Sequence, residues 1–236
     1  MTTKLQVVIP CFNEAGNLAS LIQNCESIYV QSERNISFIL VNNGSVDESA
    51  EILESKKYDN GAIHSVSVDP NRGYGGGILA GLSETTSEYV GWTHADLQTP
   101  LSDILKAYKF LSSQDVFVKG SRKKRPIVDQ LFTLGMSGFE SLLFRKVLTE
   151  INAQPTVFHR SNLQNWTTPP ADFSLDLYAL VSAKQKRLSI IRFPVAFEKR
   201  SNGKSSWNTG FRSRIKFIKR TVTYSLKLKR ENNAHN

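Results

Sequence analysis

Apolar residues fall into short, regularly spaced blocks over the first half of the chain. Leu5–Ile9 is an apolar run closed by Pro10 and predicts a buried strand, and Ile36–Val41 predicts a second that ends in Asn42, Asn43, Gly44 and Ser45. Ile63–Val68, with Val66 and Val68 alternating, predicts a third strand, Tyr89–Thr93 a fourth and Val116–Val118 a fifth. Between these blocks the spacing turns helical: Leu18, Leu21 and Ile22 make one inward face, and Ser45 or Asp47 can cap a second helix running through Leu53. Ile78, Leu79 and Leu82 mark a third helix after a glycine-rich turn at Asn71–Gly77, and Ile104, Leu105, Tyr108 and Leu111 a fourth. This strand–helix alternation predicts an α/β fold with a mostly parallel central sheet flanked by helices.

After Gly120 the rhythm changes. Ser121–Arg125 is basic, and Ile127–Leu148 is a long helical stretch with candidate breaks at Gly135 and Gly138. Thr167–Ala171 is a proline-containing loop, Phe173–Ala183 is helical by its apolar spacing, and Ser201–Ser206 is a polar loop. Leu188–Phe197 reads as a strand whose interior Pro194 suits an edge or a bulge, because proline cannot donate to a ladder. Further on, Phe211, Ile215, Ile218, Val222 and Leu226 recur at helical spacing, with Arg212, Arg214, Lys216, Lys219 and Arg220 between them.

Charge sharpens that last segment. The chain of 236 residues has 30 Lys and Arg against 21 Asp and Glu; Lys199–Arg230 holds 11 of the bases and no acid, so the remainder is close to neutral. The tail is therefore expected to be a basic amphipathic helix, either lying on an anionic membrane surface or packed on the main domain with its cations outward. No recognition motif for nucleic acid accompanies it, and no nucleic-acid partner is expected. No apolar run reaches membrane-spanning length, and the first residues run into a strand pattern without a signal-peptide profile. Cys11 and Cys25 are too few for a disulfide framework, which points to a reducing, cytoplasmic setting.

The candidate chemistry centres on Trp92–Gln98, WTHADLQ, at the end of the fourth strand. Open α/β sheets bind their ligands at strand ends. On extended backbone His94, Asp96 and Gln98 would point the same way, giving three potential ligands for a cation beside a phosphate. A plain strand end with a helix cap nearby is the competing reading. Gly75, Gly77 and Ala80 fit a dinucleotide-type G-x-G-x-x-A, but they follow the third strand rather than the first and lack the acidic residue that reading needs.

Six stretches occur in a telling order: VVIPCFNEAGNL at 7–18, VNNGSVDES at 41–49, NRGYGGGILAGL at 71–82, THADLQTP at 93–100, VKGSRKKR at 118–125 and FEKRSNGKSS at 197–206. Together they resemble the family-2 glycosyltransferases, in particular the dolichol-phosphate mannose synthase-like branch. The resemblance implies a single nucleotide-diphospho-sugar transferase domain of the GT-A type over residues 1–206, followed by the basic helix and tail at 207–236. It implies inverting transfer of one sugar to an acceptor, foremost a polyprenyl phosphate on the inner face of a membrane. The other acceptor considered is a sugar hydroxyl of a lipid-linked or surface glycan. A non-enzyme alternative is a nucleotide-sugar-binding protein with a degenerate metal site.

The resemblance assigns donor binding to Pro10, Asn13, Glu14, Asn42, Asn43, Asp96, Lys204 and Ser205. It assigns catalysis to Asp96, Arg122 and Arg200, with Arg122 and Arg200 steadying phosphates, and metal binding to Asp96, Gln98 and His94. Two departures stand out. The family usually carries aspartate where this chain has Asn42 and Asn43, and an Asp-x-Asp where it has His94 and Asp96. Imidazole is a poor magnesium ligand, so the implied divalent cation, Mn2+ or Mg2+, is expected to be held weakly. Asp172 and Asp176 fall where the branch carries its acidic-helix motif, Asp176 being the closer match and the general base that a hydroxyl acceptor would need.

Overall fold

A computed structural model of the chain describes residues 3–55, 61–123, 127–196 and 211–234. Seven strands form one mixed sheet: β1 (Leu5–Cys11), β2 (Ile36–Asn43), β3 (Ile63–Val68), β4 (Tyr89–Trp92), β5 (Val116–Arg122), β6 (Thr156–His159) and β7 (Ser189–Val195). Their order across the sheet is β3-β2-β1-β4-β6-β5-β7. The parallel part is as expected, through the β1–β2, β2–β3, β1–β4 and β5–β7 pairs. β6 was not anticipated, and it runs antiparallel between β4 and β5. Its four residues carry too short a pattern to stand out in the sequence. β7 closes one edge, where the missing amide of Pro194 is tolerated.

Alternation along the strands feeds two apolar layers. Leu5, Val7 and Ile9 of β1 join a cluster with Leu18, Leu21, Ile22, Cys25 and Ile28 of α1 (Ala15–Gln31) and Ile104 and Ala107 of α4 (Asp103–Tyr108), with α2 (Ser49–Ser55) at its margin. Val8 faces the other way, with Ile39, Val41, Val90 and Trp92, onto Ile78 and Leu82 of α3 (Gly73–Ser83) and Leu175–Val181 of α6 (Leu175–Gln185). Phe144 of α5 (Ile127–Phe144) and Leu228 of α7 (Phe211–Ala234) complete that second layer. Burial of these side chains, at ~25 cal/mol per Å² of apolar surface, is the dominant stabilising term.

Three expectations change. α5 runs unbroken through Gly135 and Gly138, where an added Cβ would meet nothing within 4 Å, so neither glycine forces a kink. The glycine run at 73–77 is the first turn of α3 rather than a turn before it. α7 packs on α5 through Ser225, which donates to Glu140 Oε1 at 2.6 Å, and through buried Leu228, whereas Ile215 and Leu226 on the expected inward face are exposed. The expected domain boundary at 206/207 lies outside the described residues. Among the described residues no helix is long and apolar enough to cross a membrane.

Candidate active site

The residues singled out in the sequence collect at the C-terminal ends of the parallel strands. Asn42 and Asn43 end β2, Pro10 is next to last in β1, His94, Asp96 and Gln98 follow β4, and Arg122 ends β5. Parallel strands put these ends on one side of the sheet, and the loops there supply the binding groups.

The β1–α1 and β2–α2 loops are laced to one another. Asn13 donates its backbone amide to Ser45 Oγ at 3.2 Å and accepts at Oδ1 from the Val46 amide at 2.9 Å. The Glu14 amide donates to Ser49 Oγ at 2.9 Å, and Glu14 Oε2 accepts from Asn17 Nδ2 at 2.6 Å. Asp47 accepts the Ser49 amide at 3.0 Å, so it rather than Ser45 caps α2. Asn42 Oδ1 accepts from the Ser45 amide at 3.1 Å and shapes the turn.

Asn43 does something an aspartate cannot. Its Nδ2 donates to the Gly73 carbonyl at 2.9 Å while its Oδ1 accepts the Arg72 amide at 3.1 Å, pinning the start of α3 to β2. A carboxylate could satisfy only the second bond and would repel the carbonyl at the first. The neighbouring glycines are required by close approach. A Cβ at Gly77 would lie 2.9 Å from Asn43 Nδ2 and 3.2 Å from Pro10 Cβ, and one at Gly75 would lie 2.5 Å from the Pro170 carbonyl oxygen and 2.7 Å from that of Asp172. The glycine face of α3 is thus the seat of the 170–172 loop, which Gly76 holds by donating its amide to the Ala171 carbonyl at 2.9 Å.

The WTHADLQ stretch departs from the extended form. β4 stops at Trp92, Leu97 takes a left-handed φ of 55°, and Asp96 Oδ1 accepts the Gln98 amide at 3.1 Å. The chain turns at Ala95–Gln98, so the alternation expected to align His94, Asp96 and Gln98 does not apply. Asp96 is buried, and His94 is half-buried with its ring 5.4 Å from that of Tyr74. Among the described residues no group of three or more His, Cys, Asp or Glu gathers as a metal cage. One carboxylate, one imidazole and one amide remain, a mixed donor set that suits a borderline cation sharing its shell with diphosphate oxygens.

Beneath this edge lies a buried polar cluster that the sequence did not disclose. Trp92, Thr156 and Lys119 stand side by side across β4, β6 and β5. Asp176 of α6 closes over them, accepting from Trp92 Nε1 at 3.1 Å, from Gln154 Nε2 at 2.7 Å and from the Tyr74 hydroxyl at 3.3 Å. Lys119 Nζ sits 3.7 Å from Asp176 Oδ1 and donates to Thr156 Oγ1 at 2.8 Å. Burial pushes the Lys119 ammonium down to about 8 against the pull of Asp176. Asp176 is 1% exposed and takes three hydrogen bonds, so it anchors the sheet rather than meeting an acceptor. The tryptophan indole, which needs an acceptor when buried, was the available sequence signal.

Arg122 is held by Glu150, whose Oε2 accepts from its Nε at 3.1 Å and from its amide at 3.3 Å. Asp172, half-exposed, pairs instead with Arg220 of α7 at 3.3 Å. Arg200, Lys204 and Ser205 lie outside the described residues, as do Lys124 and Arg125 of the basic run.

Comparison with known proteins matches this arrangement. A family model described as glycosyl transferase family 2 matches residues 6–168. Undecaprenyl-phosphate 4-deoxy-4-formamido-L-arabinose transferase of Pseudomonas aeruginosa is 35% identical over 101 residues, 42% of this chain and 30% of that protein. The enzyme of the same name from Sodalis glossinidius is 34% identical over 120 residues, 50% of this chain and 36% of that protein. The matches thus span about a third of the length of these curated relatives. Among solved structures, glucosyl-3-phosphoglycerate synthase from Mycobacterium tuberculosis, in complex with Mn2+, UDP and phosphoglyceric acid, superposes with a TM-score of 0.71 at 16% identity, over 96% of this chain and 78% of that one. That likeness establishes the GT-A-type fold. The family model runs from β1 through the Ala95–Gln98 turn and on past β6, the stretch that carries most of the residues described above, and the chain belongs to glycosyl transferase family 2.

Proposed function

We propose that this chain transfers a single sugar, with inversion, from a nucleotide-diphospho-sugar to a polyprenyl phosphate at the cytoplasmic face of a membrane. The observation that carries the choice of acceptor is the environment of Asp176. A hydroxyl nucleophile needs a carboxylate to take its proton, and the expected carboxylate is sealed in the core and saturated with donors. A phosphate monoester arrives as an anion and needs only positioning. The curated relatives are named for an undecaprenyl-phosphate acceptor, which agrees.

In this reading Asn13, Glu14, Asn42 and Asn43 frame the nucleoside side of the site, with Pro10 in its floor. Asn43 contributes by fixing the start of α3 rather than by presenting a spare amide. Asp96, Gln98 and His94 would hold a divalent cation together with the diphosphate, Mn2+ in preference to Mg2+ because of the imidazole. The cation supplies neutralisation of the departing nucleoside diphosphate. Arg122, aligned by Glu150, steadies the acceptor phosphate as its oxygen attacks the anomeric carbon from the face opposite the leaving group. Arg200, Lys204 and Ser205 are assigned to the leaving diphosphate on the strength of the motif alone.

Membrane association rests on α7. One stripe packs on α5, while exposed Ile215 and Leu226 lie beside Lys219 and Arg230, so an apolar edge flanked by cations faces outward. Each basic residue near an anionic surface contributes about 1 kcal/mol. A glycan hydroxyl acceptor remains a second reading because Asp172 keeps a half-exposed carboxylate near the site. Titrating the purified protein with a panel of nucleotide sugars, with Mn2+, Mg2+ or no added metal, tests the donor half: binding of one donor strengthened by Mn2+ is expected. Absence of binding to every donor at millimolar concentration would leave the binding-and-transfer account without support.

A further inference from the structure

An unbroken stack of side chains links the C-terminal helix to the donor motif. The Arg220 guanidinium lies 5.6 Å from the centre of the Phe173 ring while its Nε pairs with Asp172 at 3.3 Å. Phe173 stacks on Tyr74 with centroids 4.5 Å apart and planes 13° from parallel. Tyr74 then meets His94 at 5.4 Å and 32°. The middle of the stack is fixed from two sides. The Tyr74 hydroxyl donates to Asp176 at 3.3 Å and accepts from Gln154 Nε2 at 3.1 Å, and the loop bearing Asp172 and Phe173 rests on the glycine face of α3, to which Tyr74 also belongs. The Arg220 end lies nearer to solvent: its ion pair joins side chains 41% and 36% exposed, where water screens the attraction.

We infer that Arg220 is a positioning residue for His94, acting through Phe173 and Tyr74, so that the basic C-terminal helix forms one wall of the donor site instead of an appendage to it. A histidine at 94 has a physical rationale in this arrangement: its flat ring takes up a defined orientation against Tyr74, which an aspartate could not do. The geometry stands without any activity; the consequence for donor binding rests on the reading of residues 94–98 as the donor site.

The test uses the full chain. The ring Cε1–H resonance of His94, assigned with His94→Gln among the four histidines, is recorded at fixed pH in the parent protein and in Arg220→Ala, Phe173→Leu and Lys227→Ala. Lys227 lies on the same helix and pairs with Glu231, one turn on, at 3.7 Å. Arg220→Ala and Phe173→Leu are expected to move the His94 resonance beyond its linewidth with melting temperatures near the parent's, and Lys227→Ala to leave it in place. Binding of the tightest nucleoside diphosphate with Mn2+ should weaken by about three- to tenfold in both of the first two variants, Arg220→Ala losing the cation–π contact and the ion pair, and Phe173→Leu losing the cation–π contact and the stack on Tyr74. A His94 resonance unmoved by Arg220→Ala or by Phe173→Leu in a folded protein overturns the inference. If the resonance moves while no nucleotide binds to any variant or to the parent, the positioning stands and the donor reading fails.

Discussion

The indole of Trp92 donates to Asp176 Oδ1 across 3.1 Å, fastening α6 to β4, the strand that leads into His94–Gln98. Asp176 is therefore expected to matter for stability rather than chemistry. Asp176→Asn keeps the shape but leaves Lys119 facing no carboxylate in a dry interior, at a cost of about 3 kcal/mol. Melting temperature should fall by several degrees, while kcat measured well below the melting range should stay within a few-fold of the parent. A hundredfold loss of kcat in protein that is demonstrably folded would restore Asp176 as a base.

Glu140 gives the fold a pH dependence. It is fully buried at the α5–α7 contact, with Oε1 accepting from Ser225 and Oε2 without a hydrogen-bond partner, and burial raises its carboxyl from 4.5 to about 7. Between those values the folded form holds a proton that the unfolded chain has released, so stability declines as pH rises through that window and levels off above 7. The decline from this one group is on the order of 3 kcal/mol. Lys119 slopes the other way: its folded value near 8 lies below 10.5, so stability recovers as pH rises between the two. Denaturant melts from pH 4.5 to 10.5 should show the minimum near pH 7–8. Glu140→Gln should flatten the acid-side limb and leave the alkaline one; an unchanged acid limb would show that another group sets it.

Gly75 tests the seat of the 170–172 loop. A methyl group there collides with two backbone carbonyl oxygens, which cannot rotate aside as a side chain would. Gly75→Ala should cost about 1–3 kcal/mol and displace Asp172 and Phe173. Gly138→Ala, where nothing stands within 4 Å, should be neutral or mildly stabilising through helix propensity. Equal melting temperatures for the two variants would contradict the packing described.

Asn43→Asp probes the departure from the usual aspartate. The substitution removes the donor to the Gly73 carbonyl and places a carboxylate against it. A stability loss of about 1–3 kcal/mol is expected, together with weaker donor binding, since the start of α3 is no longer pinned. Improved binding in the aspartate variant would show that Asn43 serves the nucleoside directly.

These contacts also show which parts of the molecule were legible in the sequence. Six of the seven strands and the alternating helices came through: five because parallel strands leave dense apolar runs between turn signals, and β7 because Leu188–Phe197 keeps a strand pattern around Pro194. β6 did not, since four residues beside Pro155 carry no period, and its antiparallel course depends on neighbours far away in sequence. The glycines at 73–77 looked like a turn because the reason for them, the carbonyls of residues 170–172, lies about a hundred residues further on. The expected alignment of His94, Asp96 and Gln98 assumed a strand, whereas the left-handed Leu97 turns the chain there. Most of the residues named for the site do share one edge of the sheet. What stayed hidden was how many of them, Asn43, Glu14 and Arg122 among them, are already engaged by neighbouring protein groups.

The most direct measurement is transfer itself. Purified protein is given its preferred nucleotide sugar, Mn2+ and vesicles bearing either polyprenyl phosphate or the corresponding polyprenol, with Asp96→Ala as the control. The account predicts sugar in the lipid fraction with polyprenyl phosphate only, an anomeric configuration opposite to the donor's, and no product from Asp96→Ala. Transfer to polyprenol or to a glycan hydroxyl but not to the phosphate, or undiminished transfer by Asp96→Ala, would contradict it.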